Sequence, residues 1–176
     1  MYTNLVNRIV KDNNIDIELF NKKLSNTLIL GIFEAICKDI KKQERRIEEK
    51  EKYRINPDKL SAIKMLVKRY TNCMLSDEEY KVLQKYFNAY FSKNNRRVSF
   101  DYSYKLELLK KQNEKCSICN RSISIDCSHL DHIIPWEYVG DELHDNYQML
   151  CDTCNLRKGT STYFEISMAL LNRRED

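Results

Sequence analysis

Residues 116–119 read Cys-Ser-Ile-Cys, and residues 151–154 read Cys-Asp-Thr-Cys. Two residues between a pair of cysteines allow a tight turn to direct both sulfur atoms at one ion, and two such turns supply the four thiolates of a tetrahedral zinc site. The pairs are separated by 31 residues, 120 to 150. This pattern predicts a small module stabilised by zinc, because some sixty residues bury too little apolar surface to fold without help.

A site made of four thiolates has no open coordination position, so we expect Cys116, Cys119, Cys151 and Cys154 to hold a structural zinc rather than a catalytic one. Four unrelated buried thiols and a thiol redox pair are the alternatives. No thioredoxin-like alternation of strand and helix surrounds either pair, which counts against redox chemistry. The other three cysteines, Cys37, Cys73 and Cys127, are interpreted as small buried apolar residues.

Polar residues that suit phosphodiester hydrolysis lie between the two pairs and directly after the second. The chain reads Ser-His-Leu-Asp-His-Ile-Ile-Pro-Trp over 128–136 and Asn-Leu-Arg-Lys over 155–158. A carboxylate such as Asp131 and an amide oxygen such as that of Asn155 are hard ligands that suit Mg²⁺ or Mn²⁺. A neutral imidazole beside them, such as that of His132, can take a proton from water.

These motifs resemble the HNH endonuclease family, the ββα-metal nucleases that carry a zinc knuckle. The resemblance covers roughly residues 109–160. It implies that Asp131 is a ligand of the catalytic cation, that His132 is the general base, and that Asn146 holds the loop between two hairpin strands. It also implies that Asn155, where the family name has a histidine, is the second ligand and lies on a helix packed across the hairpin.

The resemblance further implies a metal-dependent enzyme that cuts DNA, most simply double-stranded DNA, and leaves a 5′ phosphate. A restriction, phage-defence or mobile-element setting is suggested by analogy only. His129 resembles a supporting histidine of some family members, with an exposed structural role as the alternative. Lys158 could reach a phosphate as a point charge, although lysines on helix surfaces mostly face water. A non-catalytic zinc module that binds nucleic acid or protein is the alternative to the enzyme.

Residues 1–98 are predicted to be helical, and residues 99–176 to form the nuclease domain. Apolar residues at helical spacing predict one long helix from Ile15 to about Tyr53, bent near Gly31, whose charged run 41–54 is either a solvated face or a phosphate-contacting ridge. Asn56-Pro57 predicts the start of a second helix, and Ser76 to Glu79 is a capping box that opens a third. The predicted fold is therefore mainly α with a small α+β module.

Charge divides the chain into two unlike parts. Residues 1–112 contain 24 Lys+Arg against 15 Asp+Glu, a net charge of +9, whereas residues 113–176 contain 6 against 11, a net charge of −5. The basic helical part is the expected source of phosphate contacts, with Lys93, Arg96 and Arg97 as the candidates. Docking of a partner protein, or of a second copy of the chain, is an equally weighted alternative.

The sequence shows no sign of a membrane segment or of export. Its longest apolar run, Leu28 to Phe33, is far shorter than the roughly 20 residues of a spanning helix. The polar residues 1–14 lack the apolar core of a signal peptide. A soluble, cytoplasmic protein that does not bind membranes is the expectation.

Overall fold

The computed structural model of the 176-residue chain describes residues 17–71 and 73–161, with side chains from residue 25 onward. Seven α-helices and one two-stranded antiparallel sheet are found in this part of the chain. The predicted class, mainly α with a small α+β module, is confirmed. Among the described residues, no helix combines the length and the apolar character that a membrane span requires.

In the described part of the chain, five α-helices precede the sheet. The bounds are Ile17–Lys42 for α1, Arg46–Ile55 for α2, Lys59–Tyr70 for α3, Asp77–Ser92 for α4 and Tyr102–Lys111 for α5. Ser76 and Glu79 form the predicted capping box at the start of α4. Asp58, rather than the predicted Asn56, caps α3, because its carboxylate accepts hydrogen bonds from the amides of Leu60 and Ser61.

The single long helix predicted up to Tyr53 is wrong. Helix α1 continues through Gly31 and ends at Lys42, whereas its predicted start at Ile15 lies outside the described residues. Glu44 adopts a left-handed conformation with φ of 55°. The amide of Glu44 donates to the carbonyl of Lys41, and that of Arg45 donates to the carbonyl of Ile40. These two bonds form a Schellman motif, which ends the helix without the glycine that usually marks one.

The charged run 41–54 is not simply solvated either. Glu49 is only 2% exposed, and its carboxylate forms ion pairs with Arg45, Lys52 and Arg69. A buried carboxylate requires such partners because its charge has left water. The run therefore contributes to the packing of α2 against α3.

The main apolar core joins three of the helices. Its members include Ile29, Phe33, Ile36 and Ile40 of α1, Ile63, Leu66 and Val67 of α3, and Leu83, Phe87, Tyr90 and Phe91 of α4. Ile134, Tyr138, Val139 and Leu143, from the segment between the two strands, belong to the same core. The nuclease-like segment is thus anchored on the helical region, although the predicted domain boundary at residues 98 and 99 stays a prediction.

The sheet and the last helix follow one another closely. Strand β1 is Ser128–His132, a short helix α6 is Trp136–Val139, strand β2 is Tyr147–Cys151, and helix α7 is Asp152–Lys158. In the antiparallel register, Asp131 lies opposite Gln148 and His132 opposite Tyr147. The expected hairpin followed by a helix is therefore present.

Gln112, the residue directly after α5, joins this helix to the free edge of the hairpin. The side-chain amide of Gln112 donates to the carbonyl of Met149 at 3.0 Å, and its side-chain oxygen accepts from the amide of Met149 at 2.8 Å. One side chain thus pairs with β2 as a further strand residue would. This contact places the first cysteine pair, four residues further on, beside the second.

Candidate nuclease site and metal centre

Four cysteines converge at one end of the hairpin. Cys116 and Cys119 lie on a turn in which the amide of Asn120 donates to the carbonyl of Cys116, while Cys151 ends β2 and Cys154 lies in α7. Their four sulfur atoms lie within 4.8 Å of one another. Cys37 is buried as expected, but Cys73 and Cys127 are exposed, so the interpretation of those two as buried residues is wrong.

The cysteine cluster fits a zinc ion. A tetrahedron with Zn–S bonds of about 2.3 Å has sulfur–sulfur edges of about 3.8 Å, and the sulfur atoms of Cys119 and Cys151 are 3.8 Å apart. Burial raises the pKa of the Cys116 thiol, but amide hydrogen bonds from Cys119, Cys151 and Ile118 outweigh it and lower that pKa to about 7. Burial and the neighbouring thiols raise the pKa of Cys154. Four thiolates this close together need a cation between them.

Asp131 lies one residue before the end of β1 and faces helix α7. Its Oδ2 atom is 2.9 Å from the ammonium nitrogen of Lys158 and accepts a hydrogen bond of 3.0 Å from the side-chain amide of Gln148. The Asp131 side chain is 15% exposed and that of Lys158 only 4%. Lys158, for which the sequence suggested a phosphate contact or a solvated position, is instead buried against Asp131. It also donates to the carbonyl of His132 at 2.8 Å.

The side-chain oxygen Oε1 of Gln148 has no hydrogen-bond partner. It is the single buried side-chain polar atom of this kind within the described residues. An unpaired buried oxygen is costly, so such an atom calls for a water or an ion. Gln148 lies opposite Asp131 and is 2% exposed, so hard oxygen atoms of a carboxylate and an amide lie together. This donor chemistry fits Mg²⁺ or Mn²⁺.

Asn155, the predicted second ligand, lies three residues before Lys158 on α7 and is half-buried. Residues three apart share one face of a helix, and Lys158 contacts both Asp131 and His132. The face of α7 that carries Asn155 therefore packs against the end of β1.

Asn146 ties together the two ends of the segment between the strands. Its Oδ1 accepts from the amide of Ile134 at 2.7 Å, and its Nδ2 donates to the carbonyl of the same residue at 2.9 Å. The residue is 4% exposed, so these bonds form away from water. The Asn146 side chain thus holds the loop after β1 against the start of β2.

His132 is the last residue of β1, and its Nε2 atom lies 2.8 Å from Oδ1 of Asp141. The imidazole also packs on the ring of Tyr147, with the ring centroids 4.9 Å apart. Sequence reasoning missed Asp141. No motif marked it, because it is nine residues from His132 and follows a turn at Gly140.

The other two histidines lie away from this contact. His129 is half-exposed and its Nε2 atom is 2.6 Å from Oδ1 of Asp152 at the start of α7. That position agrees with the exposed structural role left open by the sequence. His144 is exposed.

The basic segment 93–97 lies beside this site. Lys93 and Arg97 both lie over the indole of Trp136, at 4.3 Å and 4.6 Å from the centroid of the rings. Lys93 also donates to the carbonyl of Glu137, and burial followed by the charge of Arg46 lowers its pKa. The side chains of Arg96 and Arg97 are exposed. Basic groups and an aromatic ring therefore surround the loop that follows His132.

Comparison with known families supports the resemblance. The family model described as HNH endonuclease matches residues 116–161, about a quarter of the chain. This match confirms the predicted family for that segment and indicates nuclease activity, nucleic acid as substrate and dependence on metal. No curated protein and no solved structure matches the chain significantly.

Proposed function

We propose that this chain, whose residues 116–161 match the HNH endonuclease family, hydrolyses DNA phosphodiester bonds with the help of a divalent cation. The observation that carries the proposal is the end of strand β1. There Asp131 faces α7 in a cluster of hard oxygen atoms, and the adjacent His132 is held at Nε2 by a carboxylate. A module that only bound DNA would gain nothing from this arrangement.

Asp131 and Asn155 would hold the catalytic cation, with the amide oxygen of Gln148 available beside them. A bound Mg²⁺ or Mn²⁺ would supply positive charge to the scissile phosphate and to the departing 3′ oxygen. His132 accepts a proton from the attacking water, which requires a neutral imidazole. Asn146 keeps the loop after His132 in place through its two bonds to Ile134.

The four cysteines have a different task in this proposal. A zinc ion bound to Cys116, Cys119, Cys151 and Cys154 has no open position for substrate. It would join the turn before the hairpin to the junction of β2 and α7. The site of hydrolysis at Asp131 and His132 then depends on zinc for its shape and not for its chemistry.

Lys93, Arg96 and Arg97 are proposed to contact the phosphates of double-stranded DNA. Their location supports this role, because Trp136, on which two of them lie, is only four residues after His132. DNA held by this segment would reach the end of β1. Docking of a partner protein or of a second copy on the helical region remains the alternative.

The proposal is tested with the full chain loaded with zinc and incubated with supercoiled plasmid. We expect nicked and linear DNA to form when Mg²⁺ or Mn²⁺ is added and not when both are left out. The ends should carry a 5′ phosphate, so a ligase should reseal the nicks without prior kinase treatment. An absence of cutting with either cation, by protein that holds its zinc, would leave the binding module as the better description.

A further inference from the structure

Asp141 is tightly enclosed although it lies in a loop. Its side chain is 5% exposed, and both of its oxygen atoms are used. Oδ1 lies 2.8 Å from His132 Nε2 and accepts from the hydroxyl of Tyr147 at 2.9 Å. Oδ2 accepts from the backbone amide of Val98 at 2.9 Å and from Nε1 of Trp136 at 3.2 Å. Four groups on three separate parts of the chain thus fix one carboxylate.

The loop before Asp141 is equally constrained. Gly140 has φ of 59°, a backbone conformation that residues other than glycine rarely adopt. A Cβ atom at this position would lie 3.1 Å from Cγ of Lys93. The segment 93–98 therefore contacts the turn directly. The same segment supplies the amide of Val98 and the side chains of Lys93 and Arg97 over Trp136.

The surroundings of Asp141 decide which nitrogen of His132 carries the proton. Burial raises the pKa of Asp141, but hydrogen bonds from Val98, His132, Tyr147 and Trp136 outweigh it and lower that pKa to about 2. An ionised carboxylate can only accept hydrogen bonds. Since Nε2 of His132 lies 2.8 Å from it, Nε2 must donate. In the neutral imidazole the other nitrogen, Nδ1, then keeps its lone pair.

We propose that Asp141 is the positioning residue of His132, which holds the imidazole as its Nε2–H tautomer so that Nδ1 accepts the proton of the attacking water. The proposal rests on the proposed nuclease function. It also gives the segment 93–98 a role beyond DNA contact. Val98 donates to Asp141, and the side chains of Lys93 and Arg97 pack on Trp136, which donates to the same carboxylate. Asp141 itself touches neither substrate nor cation.

The substitution Asp141→Asn tests this assignment because its outcome is set by the neighbours. The amide of Val98 and Nε1 of Trp136 can only donate, whereas the Tyr147 hydroxyl and an imidazole nitrogen can also accept. The new side-chain oxygen will therefore face Val98 and Trp136, and the new NH₂ group will face His132. Nε2 must then accept, which moves the proton to Nδ1 and leaves no base.

The tautomer can be read from the ¹⁵N chemical shifts of the imidazole, by long-range ¹H–¹⁵N correlation on zinc-loaded full chain at alkaline pH without DNA or added divalent cation. The chain has three histidines, and His132→Ala identifies the signals of His132. We expect the Nε2–H tautomer in the wild type and the Nδ1–H tautomer in Asp141→Asn. Tyr147→Phe removes a different partner of Asp141 and should keep Nε2–H.

Cleavage of plasmid by the same proteins provides the second measurement. Asp141→Asn should lower the cleavage rate as much as loss of the base itself, about 10²- to 10⁴-fold, because a wrong tautomer removes the base from the reaction; its affinity for DNA should be unchanged. The Nδ1–H tautomer in the wild type would overturn the proposal even if Asp141→Asn failed to fold. A tautomer change in Asp141→Asn without loss of rate would overturn it too. A wild type that shows Nε2–H and cuts no DNA would instead overturn the proposed function.

Discussion

The ammonium nitrogen of Lys158 lies 2.9 Å from Oδ2 of Asp131, and both side chains are largely withdrawn from water. Lys158 is on the last turn of α7, and Asp131 is on β1. The pair therefore fastens the helix to the hairpin. It also neutralises the carboxylate that is proposed to bind the catalytic cation, so the lysine and the cation would share one carboxylate.

Removing Lys158 should destabilise the protein when no divalent cation other than zinc is present. Lys158→Met leaves the Asp131 carboxylate without the ammonium group that balances its charge. Breaking a buried ion pair in this way lowers the free energy of unfolding by about 3 to 5 kcal/mol. Urea unfolding of the zinc-loaded protein measures the loss. Arg157→Met, on an exposed neighbour, is the matched control and should change stability by less than about 0.5 kcal/mol.

The same variant tests whether Lys158 and the divalent cation compete for the Asp131 carboxylate. Without the repulsion of the ammonium group, Lys158→Met should bind Mn²⁺ at least as tightly as the wild type, and added Mn²⁺ should restore part of the lost stability. Titration calorimetry gives the affinity. Weaker Mn²⁺ binding by Lys158→Met would show that the lysine supports the cation site instead of competing for it.

Loss of one zinc ligand should unfold the nuclease segment. Cys154→Ser removes a buried thiolate from the cluster, and a structural zinc site supplies much of the folding free energy of a small module. We expect one zinc per chain in the wild type and little or none in the variant, together with loss of dispersed NMR signals from residues 116–161. Cys73→Ser, at an exposed cysteine outside the cluster, should retain both zinc and signals.

Two outcomes would contradict a structural zinc site at the four cysteines. A redox pair would need no metal for its fold, so a Cys154→Ser protein that kept its NMR dispersion would favour that alternative. Wild-type protein that contained no zinc after purification without chelators would count equally against the metal centre.

The metal centre and the hairpin could be predicted from sequence because their signals are local. The spacing of Cys116 from Cys119 and of Cys151 from Cys154 already brings each pair of sulfur atoms together. Asp131 and His132 are adjacent in a recognisable motif, and the structure places both at the end of one strand. Their catalytic roles remain predictions.

Contacts between distant residues could not be predicted in the same way. Asp141 reaches His132 only because the chain turns at Gly140 and because Val98 and Trp136 hold its second oxygen. Aspartates are common in this sequence, and neither a valine nor a tryptophan marks one of them as the partner of a histidine. The end of α1 was missed for a related reason, since Glu44 takes the left-handed position usually occupied by glycine.

Phosphate binding by the basic segment should appear as a salt-dependent affinity for DNA. Replacing Lys93, Arg96 and Arg97 with alanine, in a His132→Ala background that prevents cutting, should weaken binding. It should also reduce the slope of log K against log salt by about 0.9 for each phosphate that is no longer neutralised. Fluorescence anisotropy with duplex DNA at several salt concentrations measures both. Lys68→Ala, which removes one exposed charge on α3, is the control.

Arg96→Ala alone separates DNA contact from support of Trp136. Lys93 and Arg97 lie over the indole, so their removal also disturbs that ring, whereas Arg96 is exposed. We expect Arg96→Ala to weaken binding several-fold with an unchanged tryptophan fluorescence spectrum. Unchanged DNA affinity in the triple variant would assign the basic segment to a protein partner instead.

The cap at Ser76 gives a test of the helical region alone. Its hydroxyl oxygen accepts from the amide of Glu79, and the carboxylate of Glu79 accepts from the amide of Ser76. Ser76→Ala removes the bonds made by the hydroxyl, which also donates to the Glu79 carboxylate, and should lower the free energy of unfolding by about 1 kcal/mol. Thermal unfolding checks this value, and Ser76→Thr should retain most of the stability.

The central claim is that His132 removes the proton of the attacking water. The most direct measurement is the single-turnover rate of plasmid nicking by zinc-loaded wild type, His132→Ala and His144→Ala, each in saturating Mg²⁺ or Mn²⁺ with protein in excess. A general base contributes about 10²- to 10⁴-fold, so His132→Ala should be slower by that factor, while His144→Ala, at an exposed loop position, should match the wild type. Equal rates for His132→Ala and the wild type would contradict the account.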